Sequence, residues 1–329
     1  MSEPELEGFL LTRQWRDTAS GIELEYWFCT AAGPLRAVIR DQESVFFLAT
    51  RDLDRARPLL ARAGLDRGWR TEPVALQDFA GAVVAACYFS SHRAARQGAR
   101  LLQDAGVEPL EADINPADRY LMERFVTGGA RIRGKRKQQR GFLEVDAAEL
   151  RGCDYRPALS WVSFDIETAM QGLELFSIAV HAGDADGQLR RVFMVGEGAS
   201  QDYVVSCPDQ GAALQAFLDC IADIDPDVLI GWNVVNFDAW YLQRLADQLG
   251  ATLRLGRAGG DIYWRSLDDD GERRSARLGG RVLLDGIELL KAAFYRFESF
   301  SLESVSRELL GAGKLLHGGG RGSQIEDLF

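Results

Sequence analysis

The chain has 329 residues, 47% of them hydrophobic and 26% charged, with a formal net charge of −11 at pH 7. Length and composition are those of a globular protein with room for two domains, which excludes a disordered, collagen-like or small disulfide-stapled chain. No apolar run reaches membrane-spanning length, and the acidic start Met1-Ser2-Glu3-Pro4-Glu5-Leu6-Glu7 lacks the basic and apolar regions of a signal peptide, so a cytoplasmic protein is expected.

From Gly8 to about Thr50 short alternating runs are separated by turn signals such as Ser20-Gly21 and Gly33-Pro34 and read as antiparallel strands, with Ser44 to Ala49 as one more. A helix is expected from Leu53 to Ala63, a strand from Ala82 to Phe89 and a second helix from about His92 to Asp104. Asn115-Pro116 has the form of a helix start, Asn as cap and Pro in the first turn. Together these predict a small α+β domain over residues 1–150. Tyr26 and Trp27 fall in it, and core packing is the expectation for each. Near residues 128–140 lies the most basic run of the chain, Arg131, Arg133, Lys135, Arg136, Lys137 and Arg140, loosened by Gly128, Gly129 and Gly134. It reads either as a solvated loop or as a linker whose cations contact phosphates; no aromatic residue interleaves it to stack on bases.

From Ala158 the pattern changes. Strands are expected at about Leu159–Ile166, Leu173–His181 and Leu189–Val195, a short one near Tyr203, and a helix at Ala213–Ile221 with Leu214, Phe217, Leu218 and Ile221 on one face. Val228–Trp232 suits a buried strand, Phe237–Leu249 a helix closed by Gly250, and Asp261–Gly280 a hairpin or surface excursion. A strand at Arg281–Asp285 and a short helix at Ile287–Ala293 follow, then a helix capped by Ser301 that runs to Leu310. The glycine-rich tail from Leu315 to Phe329 is expected to be loosely ordered.

Within the first of these later strands, Asp165 and Glu167 stand two residues apart and therefore on one side of the strand. Side by side and without a local Lys or Arg, two carboxylates are either solvent-facing on an edge strand or neutralised by a divalent cation. Asp238, in the first turn of the Phe237–Leu249 helix, is a third acid. The five cysteines form no CxxC pair, and His92, His181 and His317 are far apart in sequence, which argues against a zinc site or a Ser-His-Asp triad. Most of the excess acid lies beyond residue 150, a distribution compatible with metal chemistry and with a local basic stripe for nucleic acid.

A meander followed by helix-strand-helix units, with acids on its first strand and at the later helix, has the layout of the ribonuclease H-like fold. Phe164-Asp165-Ile166-Glu167-Thr168 is similar to the first exonuclease motif of family B DNA polymerases, and Gly231-Trp-Asn-Val-Val-Asn-Phe-Asp238 resembles the second. Residues 8–18, 112–125, 285–291 and 301–305 also resemble bacterial members of that family. The resemblance implies a mixed-sheet α/β exonuclease domain over residues 151–329, preceded by the α+β domain. It implies that Asp165, Glu167 and Asp238 are catalytic and hold two Mg²⁺ or Mn²⁺ ions for 3′→5′ hydrolysis, while Asn233 and Phe237 contact the frayed primer end. Asp285, in a recurrent segment, is expected to be structural, at a strand end. DNA primer-template and single-stranded 3′ ends are the implied partners, with a sliding clamp engaged through parts outside this chain, in bacterial replication or repair at the nucleoid. The family's third motif, Tyr-x-x-x-Asp, occurs nowhere in these residues, nor do the polymerase domains. The chain is therefore expected to be the N-terminal portion of a longer polymerase, weak or inactive as a nuclease by itself. The alternative is a catalytically silent DNA-binding module of the same fold.

Overall fold

A computed structural model describes residues 4–65, 68–184, 187–197 and 201–313. The expectation for the glycine-rich tail lies outside them. The chain divides into two units between Pro157 and Ala158.

In the first unit, β1 (Leu6–Thr18), β2 (Gly21–Thr30) and β3 (Gly33–Gln42) form a meander, followed by β4 (Ser44–Ala49), α1 (Leu53–Arg62), β5 (Trp69–Gln77), β6 (Val83–Phe89), α2 (His92–Asp104), α3 (Pro116–Met122), β7 (Gly129–Gln139) and β8 (Phe142–Gly152). Strands β1-β2-β3-β8-β7 close into a barrel, which leaves no free edge among them. Alternate residues of β2, Ile22, Leu24, Tyr26 and Phe28, are buried with Leu35, Ile132 and Val145. Ala117, Tyr120 and Leu121 of α3 pack on the same cluster, and the Tyr26 hydroxyl donates to the Ala117 carbonyl at 2.8 Å. Tyr26 and Trp27 are core residues. Asn115 caps α3, its Oδ1 accepting the Asp118 N–H at 2.9 Å, and Ser91 caps α2 in the same way through Ala94 at 3.1 Å. A second sheet, β4-β6-β5, packs Phe46, Leu48, Cys87 and Phe89 with Leu60 of α1 and Leu102 of α2.

The basic run is corrected by the structure: it is β7, a barrel strand paired along its length with β8, and not a loop. Its composition hides this, because only Ala130 and Ile132 are apolar and buried, while Arg131, Arg133, Lys135 and Lys137 alternate outward with period two. Gly134 sits at the register shift of this pair with φ +148°, where a Cβ would lie 2.7 Å from the Asp146 carbonyl oxygen.

The second unit comprises β9 (Trp161–Thr168), β10 (Leu175–Asp184), β11 (Gly187–Val195), β12 (Val204–Cys207), α4 (Gln210–Ile224), β13 (Val228–Gly231), α5 (Asp238–Leu249), β14 (Tyr263–Ser266), β15 (Arg274–Arg277), β16 (Val282–Asp285), α6 (Gly286–Ala292) and α7 (Leu302–Leu310). The sheet order is β12-β11-β10-β9-β13-β16, with β9 antiparallel to β10 and parallel to β13. The acid-bearing strand is thus central. Val162, Phe164 and Ile166 fill one face of it, and the Phe164 ring lies 5.3 Å from that of Phe217 on α4. All five cysteines are unbridged.

Candidate active site at the centre of the mixed sheet

Period-two alternation buries Val162, Phe164 and Ile166 and leaves Asp165 exposed and Glu167 half-buried on the other side of β9. The chain then brings in a third acid from β13, whose parallel pairing with β9 sets Leu229 opposite Val162 and delivers the following loop to the same end of the sheet. At the end of that loop α5 begins with Asp238, which is 1% exposed. Its Oδ1 accepts the Ile166 N–H at 3.1 Å, while Oδ2 is buried without a hydrogen-bond partner. Burial, with the charge of Asp165 adding to it, pushes the Asp238 carboxyl up to about 7.

Asp238 contributes a pH dependence to the stability of the metal-free protein. Below the unfolded-state carboxyl value both states hold the proton; as pH rises toward 7 only the unfolded state releases it, and stability falls. The loss is complete above pH 7. Asp238→Asn removes that loss and keeps the acceptor for Ile166. In EDTA at mildly alkaline pH the variant is expected to unfold at higher urea concentration than wild type and to show a flatter pH profile. Equal profiles for the two proteins would contradict the assignment.

Asp165 and Asp238 are brought into contact, and a buried unpartnered carboxylate oxygen beside a second acid suits a hard divalent cation. Among the described residues no three His, Cys, Asp or Glu side chains are gathered as metal ligands. Glu167 shares the face of Asp165, but the strand rise sets two residues about 6.6 Å apart along β9.

The loop between β13 and α5 is held from several sides. Gly231 lies where a Cβ would meet the Val234 Cβ at 2.7 Å and the Phe164 carbonyl oxygen at 3.0 Å. Gly231→Ala is therefore expected to lower stability by about 1–3 kcal/mol, read as a urea midpoint shift. Asn233 adopts φ +57°, a left-handed conformation that asparagine tolerates better than most residues. Asp285, at the end of β16 as expected, accepts the Val235 N–H at 3.2 Å and caps α6 through the Ile287 N–H at 3.0 Å. The β14–β15 hairpin is docked on α5: the Trp264 and Trp240 rings lie 5.0 Å apart, and Asn236 Oδ1 accepts the Arg274 N–H at 2.8 Å. Phe237 is 46% exposed, so its ring is available at the surface and is not a core residue.

The cations of β7 belong to the first unit, where Arg133 pairs with Glu5 at 2.5 Å and Arg131 with Glu7 at 3.3 Å. Lys135 and Lys137 stand opposite Asp146 and Glu144 in the ladder. The backbone carbonyl of Pro4 accepts from Arg136. Acids therefore flank most of the run, which reduces its net field.

Sequence reasoning missed the buried cluster of Arg257, Arg281, Asp225 and Asp227 at the start of β13. Nothing local signals partners separated by 30 residues or more in the chain.

The N-terminal pattern of DNA polymerase II matches residues 8–43, and that of the DNA polymerase family B exonuclease domain matches residues 108–305. DNA polymerase II of Escherichia coli is 42% identical over 93% of this chain and 38% of its own length. The DNA polymerase delta catalytic subunit of Schizosaccharomyces pombe is 30% identical over 46% of this chain and 16% of its own. The family B DNA polymerase of Pyrobaculum calidifontis shares the fold with a TM-score of 0.75 at 20% identity, over 98% of this chain and 43% of that one. The chain thus spans less than half the length of each of these proteins.

Proposed function

The chain belongs to the family B DNA polymerases, and from that premise we propose that it carries the 3′→5′ proofreading exonuclease of a DNA-directed DNA polymerase, together with the N-terminal domain. The observation that carries this reading is the meeting of Asp165 on β9 with Asp238 on α5, two acids from separate motifs, one with a buried oxygen that lacks a partner.

Exonuclease domains of this family depend on divalent metal. We assign Mg²⁺ or Mn²⁺, two ions in the complete site, to Asp165 and Asp238, with Glu167 beside Asp165 on the same strand face. When bound, such cations stabilise charge on the phosphodiester and supply an ionised water. The protein's own part is positional. Ile166 N–H orients Asp238, the clash-free Gly231 fixes the approach of the loop, and Asp285 ties that loop to β16. Asn233 and Phe237 hold the unpaired primer end, the half-exposed ring stacking on a base. Arg131, Arg133, Lys135, Arg136 and Lys137 are the candidate phosphate contacts of the first unit, weakened by their acidic neighbours. DNA is the substrate, bacterial cytoplasm the setting, and a sliding clamp a further partner. No described helix is long and apolar enough to cross a membrane.

The reading is tested by release of a 3′ label from single-stranded DNA in Mg²⁺ or Mn²⁺ by the intact protein. The ungathered third acid favours the silent DNA-binding module as the second reading. Salt-dependent DNA binding without any cleavage would select it.

A further inference from the structure

α2 presents a basic stripe that the proposed hydrolysis does not use. Its sequence sorts by face: His92, Ala95, Gly98, Ala99 and Leu102 are buried, while Arg93, Arg96, Gln97, Arg100 and Gln103 are exposed. The arginines stand at i, i+3 and i+7 and so share one side of the helix, at intervals of about 4.5 and 6 Å along its axis. Packing fixes where that side points. Gly98 lies where a Cβ would come within 3.1 Å of Leu60 Cδ2 and 3.4 Å of the Phe89 ring, so α2 sits closely on α1 and β6 and its roll is set.

The charge on this side is not neutralised. Among the described residues Arg93, Arg96 and Arg100 form no ion pair, in contrast to Arg131 and Arg133 of β7, which Glu7 and Glu5 hold. No acid occurs on α2 before Asp104 at its end. The carboxylate that β1 brings, Asp17, is taken up by the helix N-terminus, its two oxygens accepting the His92 and Arg93 N–H groups at 2.8 and 3.1 Å. α1 extends the surface: Arg55 donates to the Ala105 carbonyl just beyond α2 at 3.2 Å, and Arg51 and Arg62 are exposed. Residues 44–107 as a whole carry nine arginines against six acids, in a chain whose net charge is −11. A local excess kept exposed against the charge of the whole chain fits a polyanion.

The side chains narrow which polyanion. Guanidinium groups without acidic partners suit phosphates. No aromatic residue stands among them to stack on unpaired bases, so the face addresses a backbone rather than bases. A straight row of cations spaced by a few ångströms is on the scale of a duplex, which carries one charge per about 3.4 Å of each strand.

We propose that the Arg93, Arg96 and Arg100 side of α2 is a docking surface for double-stranded DNA, holding phosphates of the duplex without reading sequence. It goes beyond the exonuclease reading and stands without it, since the surface needs neither Asp165 nor a cation.

Fluorescence anisotropy of a labelled blunt duplex with the intact protein, in EDTA and from about 50 to 200 mM salt, tests the assignment. Wild type is expected to bind with an affinity that falls steeply with salt. The combined variant Arg93→Gln, Arg96→Gln and Arg100→Gln lowers the slope of log affinity against log salt by about 2.7, at about 0.9 per phosphate. Lysine at the same three positions keeps the slope, because each ammonium still neutralises a phosphate. All three positions are exposed, so both variants are expected to fold, which an unchanged thermal midpoint checks. Failure of wild type to bind the duplex, an unchanged slope in the glutamine variant, or an equal loss in the lysine variant overturns the proposal. So does preferential capture of a poly-aspartate peptide, which would assign the face to an acidic protein. A protein that binds duplex as described yet never cleaves DNA upholds the α2 surface and sinks the catalytic reading alone.

Discussion

Arg257→Ala is expected to destabilise the protein by about 3–5 kcal/mol, the cost of breaking a buried ion pair from one side. The guanidinium of Arg257 donates to Asp225 Oδ1 at 2.8 Å, to Asp227 Oδ1 at 3.1 Å, to the Asp225 carbonyl at 2.8 Å and to the Gly280 carbonyl at 2.8 Å. Arg281 completes the cluster, donating to Asp225 Oδ1 at 2.6 Å and to the Leu255 and Pro226 carbonyls at 2.7 and 3.0 Å. Both arginines are buried, as is Asp227, so removing Arg257 takes the cation from Asp227 and one donor each from the Asp225 and Gly280 carbonyls. Asp227 Oδ2 also accepts from the N–H and hydroxyl of Ser160, both at 3.2 Å, which locks the start of β13 to the start of β9. The change should therefore loosen the register on which the meeting of Asp165 and Asp238 depends. Arg257→Lys restores the charge but not the fork of donors and is expected to recover only part of the loss. Urea unfolding of the two variants measures both effects, and a midpoint for Arg257→Ala equal to wild type would show the cluster to be dispensable.

Loss of either acid at the site has the largest expected effect on activity. Asp165→Ala or Asp238→Ala removes a seat for charge that supplies several kcal/mol to the reaction; about 4 kcal/mol corresponds to about a thousandfold in rate. The two acids act on one centre, so the double variant should be little slower than either single one. Asp238→Asn sharpens the contrast, because a substitution expected to stabilise the metal-free fold is also expected to remove the activity. Steady-state cleavage of 3′-labelled single strands gives the rates, and additive losses in the double variant would show that the acids serve separate sites.

How much of this was legible in the sequence depended on whether the signal was local. The helix at His92–Asp104 carries its own cap in Ser91 and its own apolar stripe, and Asn115 announces α3. β9 was visible because its buried face, Val162, Phe164 and Ile166, alternates with its acids. Where the signal was mixed or distant, the reading failed. β7 looked like a loop because four outward cations and Gly134 mask two inward apolar residues, and closure of the barrel supplies the pairing that composition withholds. β5 went unrecognised since Pro73 and a register shift interrupt it and none of its residues is fully buried. The Arg257 and Arg281 cluster joins residues from three separate loops, and the docking of the hairpin on α5 depends on two tryptophans meeting across the fold. Asp238 was found from its motif, but its buried and unpartnered oxygen follows from packing alone.

The central claim is tested most directly by the rate at which the intact protein releases labelled nucleotide from the 3′ end of single-stranded DNA in Mg²⁺, compared with the Asp165→Ala variant of matched fold and DNA affinity. The account predicts metal-dependent release by wild type and a rate lower by about a thousandfold in the variant. Cleavage that proceeds undiminished without the Asp165 carboxylate would contradict it.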